Sequence, residues 1–329
     1  MGVPIPSLEV YARWWQLETY LREVAYTELR SAYGRSWASR LGDAASLRAE
    51  RDHINSYMAS ADAEELLGYA DFGALLRLLD AQWELFEDIL VPRTRWAGLS
   101  EELSTIRNRS AHCRRPHVDD AARLEQALRN LEPGAREFYA SYSRTRPIPR
   151  RSKDRLARAW AEGRHPAAER LLDHSRRKYG TQFRLEWSLR PWAGCDPDPH
   201  QLSQTRGLLW HAHWVLSEEP DPVEVWRTLS SDVRDLLVHL IFDGALVQAT
   251  FAAADDARAI ADSIGTIFDR LLTTAGNTWR LKEESFEQRW EAAREAQARL
   301  PLKAQVGGLR TYFDHYDPEK FSLFDASLY

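Results

Sequence analysis

The hydrophobic pattern of residues 1–145 is helical throughout. Apolar residues recur at spacings of three and four, which is the period of an amphipathic helix that buries one face. The first and longest predicted helix runs from Leu8 to Tyr33, with Trp14, Leu17 and Leu21 on its buried side. The next four helices are predicted over Asp43 to Met58, Asp71 to Val91, Ser100 to Cys113 and Val118 to Tyr142. Pro92 and Pro116 mark two of the ends, since proline breaks a helix interior. Residues 1–145 are therefore predicted to form a helical bundle.

A basic, proline-containing stretch separates this bundle from the rest of the chain. Residues 143–153 read SRTRPIPRRSK, which disfavours continuous helix. We therefore predict a linker at residues 146–153 and a second domain, of unknown regulatory or substrate-recognition role, at residues 154–329.

The second domain is predicted to be mostly helical, so the fold class expected for the whole chain is mainly α. One short strand or hairpin is predicted where Phe183, Leu185, Trp187 and Leu189 alternate with polar residues. Helical spacing is read over Asp154 to Tyr179, His200 to Leu216, Pro222 to Ala254, Ala257 to Ala275 and Glu283 to Leu300.

Composition and charge restrict the partners and the cellular compartment expected for the protein. Its formal net charge of −5 argues against a generally basic nucleic-acid binder, so any RNA contact should be local. Two cysteines, Cys113 and Cys195, cannot build a disulfide framework, and no signal peptide is visible, which predicts a cytoplasmic protein. Polar residues interrupt the apolar stretch from Leu236 to Ala254, so a buried helix is predicted there and no membrane association is expected. The 13 tryptophans are assigned to core packing.

The segment Arg107-Asn108-Arg109-Ser110-Ala111-His112 carries the candidate chemistry. The spacing of arginine and histidine does not single it out, because an arginine five to seven positions upstream precedes seven of the ten histidines. Those histidines are His53, His112, His165, His211, His213, His239 and His315.

The context of Arg107 and His112 is more specific. The RNRSAH string, with a polar residue after the arginine and a small one before the histidine, resembles the R-N-x-x-x-H motif of HEPN domains (higher eukaryotes and prokaryotes nucleotide-binding). The string lies late in a predicted helical bundle, as in that family. LETYLREVAYTEL, from Leu17 to Leu29, is similar to the first helix of the branch found in bacterial anti-phage and abortive-infection ribonucleases. The resemblance covers about residues 7–143.

The resemblance implies a metal-independent endoribonuclease, acting as a toxin or anti-phage effector, with His112 and Arg107 as catalytic residues. Histidine titrates near neutral pH and can move a proton, while the guanidinium group of arginine suits phosphate oxygens. Asn108 lies four residues before His112, so it shares a helix face with the imidazole and is expected to orient it. No cofactor or metal is expected.

The resemblance also implies partners. Two HEPN units commonly face each other, so we expect a homodimer that binds RNA, together with an antitoxin or regulatory protein. The arginines expected to hold the RNA backbone are Arg109, Arg114 and Arg115. Arg144, Arg146, Arg150 and Arg151 could extend this surface as a wider basic rim, and Glu84, Glu87 and Asp88 could supply an accessory carboxylate.

Three alternatives accompany this interpretation. The first is a non-catalytic HEPN module that binds nucleotide or RNA, or dimerises and recruits a partner. The second is a degenerate second HEPN unit around the pairs Arg206/His211 and Arg234/His239. The third is a zinc site at Cys195, His200, His211 and His213, which is disfavoured because two histidines two positions apart diverge on a helix.

Overall fold

The computed structural model describes residues 4–54, 66–149, 151–177, 181–194, 196–274 and 286–306. The predicted positions at Met58, Arg150, Tyr179, Cys195, Ala275, Glu283 and His315 lie outside the described residues.

The first half of the chain is a helical bundle, as the hydrophobic spacing predicts. Its helices are α1 (Ile5–Tyr33), α2 (Asp43–Ile54), α3 (Phe72–Ala81), α4 (Arg93–Ala111) and α5 (Asp120–Ser143). Two boundaries differ from the prediction. Helix α3 ends ten residues before Val91, where short turns of 3-10 helix replace it, and α4 starts directly after Pro92. A proline at that position costs the helix nothing, because the first backbone N–H groups have no partner within the helix.

The second half contains a six-stranded mixed sheet, so the prediction of a mostly helical domain with one strand or hairpin is wrong. The strands are β1 (Arg146–Pro147), β2 (Gln182–Leu189), β3 (Leu208–Val215), β4 (Leu237–Asp243), β5 (Leu246–Ala252) and β6 (Ala304–Val306). Their order is β1-β2-β3-β5-β4-β6; neighbours are antiparallel except β4 and β6, which are parallel. The helices are α6 (Arg155–Ala161), α7 (Pro166–Arg177), α8 (Pro222–Thr228), α9 (Ser231–Leu236), α10 (Ala257–Thr274) and α11 (Phe286–Gln297).

The errors concentrate in strands that are buried on both faces. The stretch from Pro222 to Ala254, predicted as helix, holds α8, α9 and the hairpin of β4 and β5. Both strands lack a solvated face, and their polar residues His239, Gln248 and Thr250 are buried as well. Strand β4 is therefore a nearly continuous apolar run, whereas β5 does alternate, with Gln248 and Thr250 between Val247, Ala249 and Phe251. The segment from Phe183 to Leu189 does alternate, and its prediction as a strand is confirmed in β2. The predicted linker also contains β1, which pairs Arg146 with Trp187.

The sheet separates two apolar cores. On one face, Trp210, Trp214 and Phe251 pack with residues of α6, α8 and α10. On the other face, Leu209, Val238 and Ile241 join the core of the helical bundle. The expected burial of tryptophan holds for Trp14, Trp83, Trp96, Trp160, Trp187, Trp210, Trp214 and Trp226, whereas Trp15 is exposed. The helical bundle and one face of the sheet therefore share a single apolar core.

Buried ion pairs cross the junction of bundle and sheet. Arg190, just after β2, donates to Glu28 of α1 at 2.5 Å, and both side chains are fully buried. The same guanidinium donates to the carbonyl of Phe138 in α5 at 3.1 Å. Arg30 of α1 lies 3.3 Å from Asp255, after β5. These pairs fix the orientation of α1 against the sheet, because removing either partner would leave a buried charge without its counter-ion.

A chain of buried polar side chains continues across the same face of the sheet. The Tyr142 hydroxyl donates to Thr250 at 2.7 Å and lies 3.0 Å from Nδ1 of His239, whose Nε2 is 3.0 Å from Glu23. Thr250 in turn lies 3.0 Å from His211. Burial raises the pKa of the Tyr142 hydroxyl, which therefore stays protonated. Glu23 and Tyr142 are thus tied to three strands of the sheet.

Of the helices in the described part of the chain, none has the length and apolar character that crossing a membrane requires.

Candidate functional site

Helix α4 presents the RNRSAH segment at its C-terminal end. Leu103 and Ile106 are buried and anchor the last turns of the helix in the bundle core. Arg107 follows Ile106 and is half-buried, whereas Asn108 and His112 are exposed. His112 is the capping residue, so the predicted helix over Ser100 to Cys113 ends earlier than expected, at Ala111.

A regular termination motif fixes this helix end. The backbone N–H of Cys113 donates to the carbonyl of Ser110 at 3.1 Å, and that of Arg114 donates to the carbonyl of Arg109 at 2.9 Å. Cys113 takes a left-handed conformation with φ of 51°. These two hydrogen bonds together form the Schellman motif, in which glycine is the usual residue at the left-handed position. The backbone around His112 is therefore well determined although the side chain faces solvent.

Buried Asp120 holds the loop that follows His112. The carboxylate of Asp120, the first residue of α5, accepts from Nε of Arg109 at 2.9 Å and from the backbone N–H of His117 at 2.9 Å. A second Arg109 nitrogen completes a bidentate pair. Burial favours the neutral carboxyl, but the hydrogen bonds from Arg109 and His117 outweigh it and lower the pKa of Asp120. The signal in the sequence was the acidic pair Asp119-Asp120 ahead of an apolar helix, which was not singled out.

The arginines predicted to hold RNA fall into two groups. Arg114 and Arg115 are exposed in the loop after α4, whereas Arg109 is engaged with Asp120. In the wider rim, Arg144 pairs with Glu137 at 2.7 Å and Arg146 pairs with Asp196 at 2.6 Å. Arg107 of the motif and Arg114 and Arg115 beside it are among the arginines that have no carboxylate partner in the described part of the chain.

The side chains of the motif are open to a ligand. Across the residues described, the side chains of Arg107 and His112 have no hydrogen-bond or ion-pair partner. His112 and Asn108 are joined only through the backbone, by an N–H to carbonyl bond of 3.3 Å, so no Asn108 side-chain bond orients the imidazole. Glu84, Glu87 and Asp88 are exposed between α3 and α4 and make no bond to either motif residue within the described chain.

The other histidine pairs have a different environment. His211 and His239 lie on strands β3 and β4, which does not fit the alternative of a second helical HEPN unit. His211 is fully buried, 2.8 Å from Ser188 and 3.0 Å from Thr250, so its ring does not reach solvent. Between the described residues, no group of three or more potential ligands is arranged to hold a metal ion.

Comparison with known protein families identifies the family to which the helical bundle is similar. The Swt1-like HEPN family model matches residues 15–132, a range that runs from α1 into α5 and includes the RNRSAH segment. Residues 15–132 form a HEPN domain. No curated protein and no solved structure matches the chain. The match ends before the sheet, so the assignment applies to the bundle alone.

The two ends of the HEPN domain face different surroundings. Arg13 near the start of α1 lies 3.5 Å from Glu125, one turn beyond Asp120, which places the start of α1 at the motif end of the bundle. The last turns of α1 contact the sheet through Glu28 and Arg30. The twenty residues from Arg13 to Tyr33 correspond to ~30 Å along the helix axis. The sheet therefore covers the end of the domain opposite the RNRSAH segment.

Proposed function

We propose that the protein is a metal-independent endoribonuclease in which Arg107 and His112 act on the scissile phosphate. The single observation that carries the proposal is the pairing of a proton-transfer group and a fixed cation, both solvent-accessible, at one capped helix end within a HEPN domain. The Schellman motif and the Asp120 hydrogen bonds hold the backbone of this end in place. The side chains of Arg107 and His112 remain available to RNA.

The reaction follows from the chemistry of these two groups. The ribose 2′-oxygen attacks the adjacent phosphorus, its O–H bond breaks, and the bond between phosphorus and the 5′-oxygen of the next nucleotide is cleaved. The products are a 2′,3′-cyclic phosphate and a 5′-hydroxyl. His112 accepts the proton of the 2′-hydroxyl and donates it to the departing 5′-oxygen, while the guanidinium of Arg107 stabilises the negative charge that develops on the phosphate oxygens. Protein side chains supply all the groups that this mechanism uses.

The surrounding arginines have separate roles in the proposal. Arg114 and Arg115 bind the RNA backbone beside the scissile bond, because they are exposed and lack a carboxylate partner among the described residues. Arg109 acts as a positioning residue, since its guanidinium is committed to Asp120 and holds the loop that carries the other two.

A homodimer would bring two such helix ends together. The N-terminal half of α1 exposes an apolar stripe at the motif end, formed by Ile5, Leu8, Tyr11 and Trp15. We propose that a second copy of the chain covers this stripe, so that both RNRSAH segments line one cleft. Light scattering of the Leu8→Asp/Tyr11→Asp variant should give a monomer where the unmodified protein gives a dimer. A monomeric unmodified protein would contradict this part of the proposal.

The test of the nuclease is cleavage of RNA by purified protein and by expressing cells. His112→Ala and Arg107→Ala are each expected to reduce the cleavage rate about 10²- to 10⁴-fold. Sequencing of RNA ends from cells that express each form would map the cuts, and relief of growth inhibition by either variant would support a toxin or anti-phage role. The matched control is Arg95→Ala, at the other end of α4. Equal cutting by all forms would refute the assignment.

The alternative is a non-catalytic HEPN module that binds RNA, nucleotide or a protein partner such as an antitoxin. It is favoured by one observation, the lack of a side-chain bond between Asn108 and His112. Under this alternative the protein would bind its ligand equally well with and without His112 and would leave RNA intact.

A further inference from the structure

A cluster of arginine and aromatic side chains lies at the junction of bundle and sheet. Its members are Tyr33 at the end of α1, Arg40 in the following 3-10 turn, Trp192 after β2, and Arg206 before β3. The Arg40 guanidinium carbon is 4.3 Å from the centre of the Tyr33 ring. That of Arg206 is 5.1 Å from the Tyr33 ring and 5.8 Å from the Trp192 ring. We call these four residues the arginine–aromatic cluster.

Hydrogen bonds to neighbouring side chains hold both aromatic rings of the cluster in place. Trp192 donates its indole N–H to buried Glu28 at 2.7 Å, and the Tyr33 hydroxyl donates to Gln82 at 2.5 Å. The backbone is equally constrained, because the N–H of Gly207 donates to the carbonyl of Ser31 at 2.9 Å. Gly207 has φ of 78° and lies against the Trp192 ring, where a Cβ would clash. The rings therefore form a rigid support for the two arginines.

The arginines themselves are exposed and hold unsatisfied donors. Arg206 uses Nε to donate to the carbonyl of Ala32 at 3.3 Å, which leaves its terminal nitrogens available. Arg40 and Arg206 form no ion pair with any carboxylate of the described chain, and the nearby exposed Arg35 forms none either. The neighbouring acids are committed elsewhere, Glu28 to Arg190 and Asp255 to Arg30. Stacking on an aromatic ring orients a guanidinium while its N–H edge stays free for phosphate oxygens.

We propose that the arginine–aromatic cluster is a second RNA-binding surface, which holds the phosphate backbone of a single strand away from the cleavage point. The inference rests on the proposed function for the identity of its ligand. The cluster lies near the C-terminal end of α1, ~30 Å along the helix from Arg13 at the motif end. Single-stranded RNA that runs between the two sites would be gripped at both ends of the HEPN domain. Both halves of the chain contribute to the surface, which gives the sheet region a part in substrate recognition.

The test is a binding measurement on the full chain carrying His112→Ala, so that RNA stays intact. Fluorescence anisotropy would follow a labelled single-stranded RNA of about 20 nucleotides, longer than the usual site of one binding fold. Adding Arg40→Gln/Arg206→Gln should lower the affinity about tenfold and reduce the slope of log affinity against log salt by about 1.4, since each lost phosphate contact on a single strand changes it by about 0.7.

The matched control is Arg170→Gln/Arg227→Gln, which removes the same charge from two exposed arginines that are paired with Asp269 and Glu224. It should bind RNA like the parent. An effect of the cluster variant equal to that of the control would overturn the inference, as would a fall in its thermal midpoint with affinity unchanged, which marks a purely structural role. Cluster-dependent binding without cleavage by the unmodified protein would refute only the nuclease proposal.

Discussion

The sheet end and the motif end of the HEPN domain use charged residues in opposite ways. At the sheet end, Glu28 and Arg190 are fully buried and paired with each other, so their charges serve the packing of α1. At the motif end, Arg107 and His112 reach solvent and carry no partner among the described residues. A buried, paired charge holds a structure together, whereas an accessible charge without a counter-ion can act on a ligand. The contrast locates the candidate chemistry at the motif end.

Two histidines with the same arginine spacing make the contrast sharper. His112 and His211 each follow an arginine by five residues. His211 is enclosed by Ser188 and Thr250, and burial, together with the nearby His213, Arg190 and His239, lowers its pKa well below the usual value. It stays neutral and inaccessible, while His112 faces solvent. Accessibility distinguishes two residues that the sequence presents alike.

The largest predicted effect is at the sheet end. Glu28→Ala leaves the Arg190 guanidinium buried without its counter-ion, which should lower the free energy of unfolding by about 3–5 kcal/mol. Chemical denaturation monitored by circular dichroism would measure the loss. Glu28→Leu/Arg190→Met removes both charges and should recover a large part of it. A loss below about 1 kcal/mol for the single variant would show that the junction tolerates an unpaired arginine.

A smaller effect is predicted inside the bundle. Gly134 lies in α5, where a Cβ would overlap the carbonyl of Ile89, so Gly134→Ala should cost about 1–3 kcal/mol despite the better helix propensity of alanine. Gly98 in α4 has open space around it, and Gly98→Ala should instead stabilise the protein by about 0.5–1 kcal/mol. Thermal unfolding of the two variants should therefore shift in opposite directions. A parallel shift would contradict the packing of α5 against the 83–91 segment.

Asp120→Asn is predicted to cost about 1–2 kcal/mol, because it weakens charge-assisted bonds to a partly exposed arginine. The pKa of Asp120 is lowered by folding, so its contribution is present above the ordinary carboxyl pKa of about 3.9 and is lost as the pH falls through the folded value. Unfolding measured from pH 7 to pH 2 should converge for the two proteins at the acid end. A constant difference at every pH would contradict the role assigned to the carboxylate.

The smallest effect on stability is predicted at the motif. Arg107→Ala and His112→Ala should each change the free energy of unfolding by about 0.5 kcal/mol or less, since neither side chain has a partner in the described part of the chain. Differential scanning calorimetry of the same samples used for the cleavage assay would measure this. A loss of RNA cleavage together with a large fall in stability would indicate a structural role and remove the contrast between the two ends.

The helical bundle could be read from the chain because its period is local. The residues that α1 buries from Val10 to Val24 and that α5 buries from Leu124 to Phe138 recur mostly at spacings of three and four, and Pro92 and the polar segment around Pro116 mark breaks. Strand β4 could not be found by the same means, because burial on both faces leaves a nearly continuous apolar run. Strand β5 does alternate, with Gln248 and Thr250 between Val247, Ala249 and Phe251, but the alternation covers few residues within a long apolar stretch. A turn signal was also available. Asp243-Gly244 between two apolar runs is typical of a hairpin turn, and Gly244 has φ of 57° there.

For the candidate site, the sequence identified the residue types, and resemblance to HEPN domains singled out Arg107 and His112. The sequence could not show that Arg109 is paired with a carboxylate while Arg114 and Arg115 are not, because the partner of Arg109 is Asp120, eleven residues away across a loop. The placement of His112 after the last turn of α4 was also missed, since helix ends depend on the Schellman bonds of particular backbone groups.

The sequence by itself determined where helices form in the bundle and which string carries candidate chemistry, because both depend on neighbours within a few positions. Tertiary structure alone decided which charges are buried and which are available. Glu28 and Arg190 are 162 residues apart, and Tyr33 and Arg206 come from different halves of the chain. Their contacts arise only when the sheet packs against the end of α1. Burial and charge pairing are properties of that packing, so the division between charges that hold the scaffold and charges that stay accessible appears only in the folded protein.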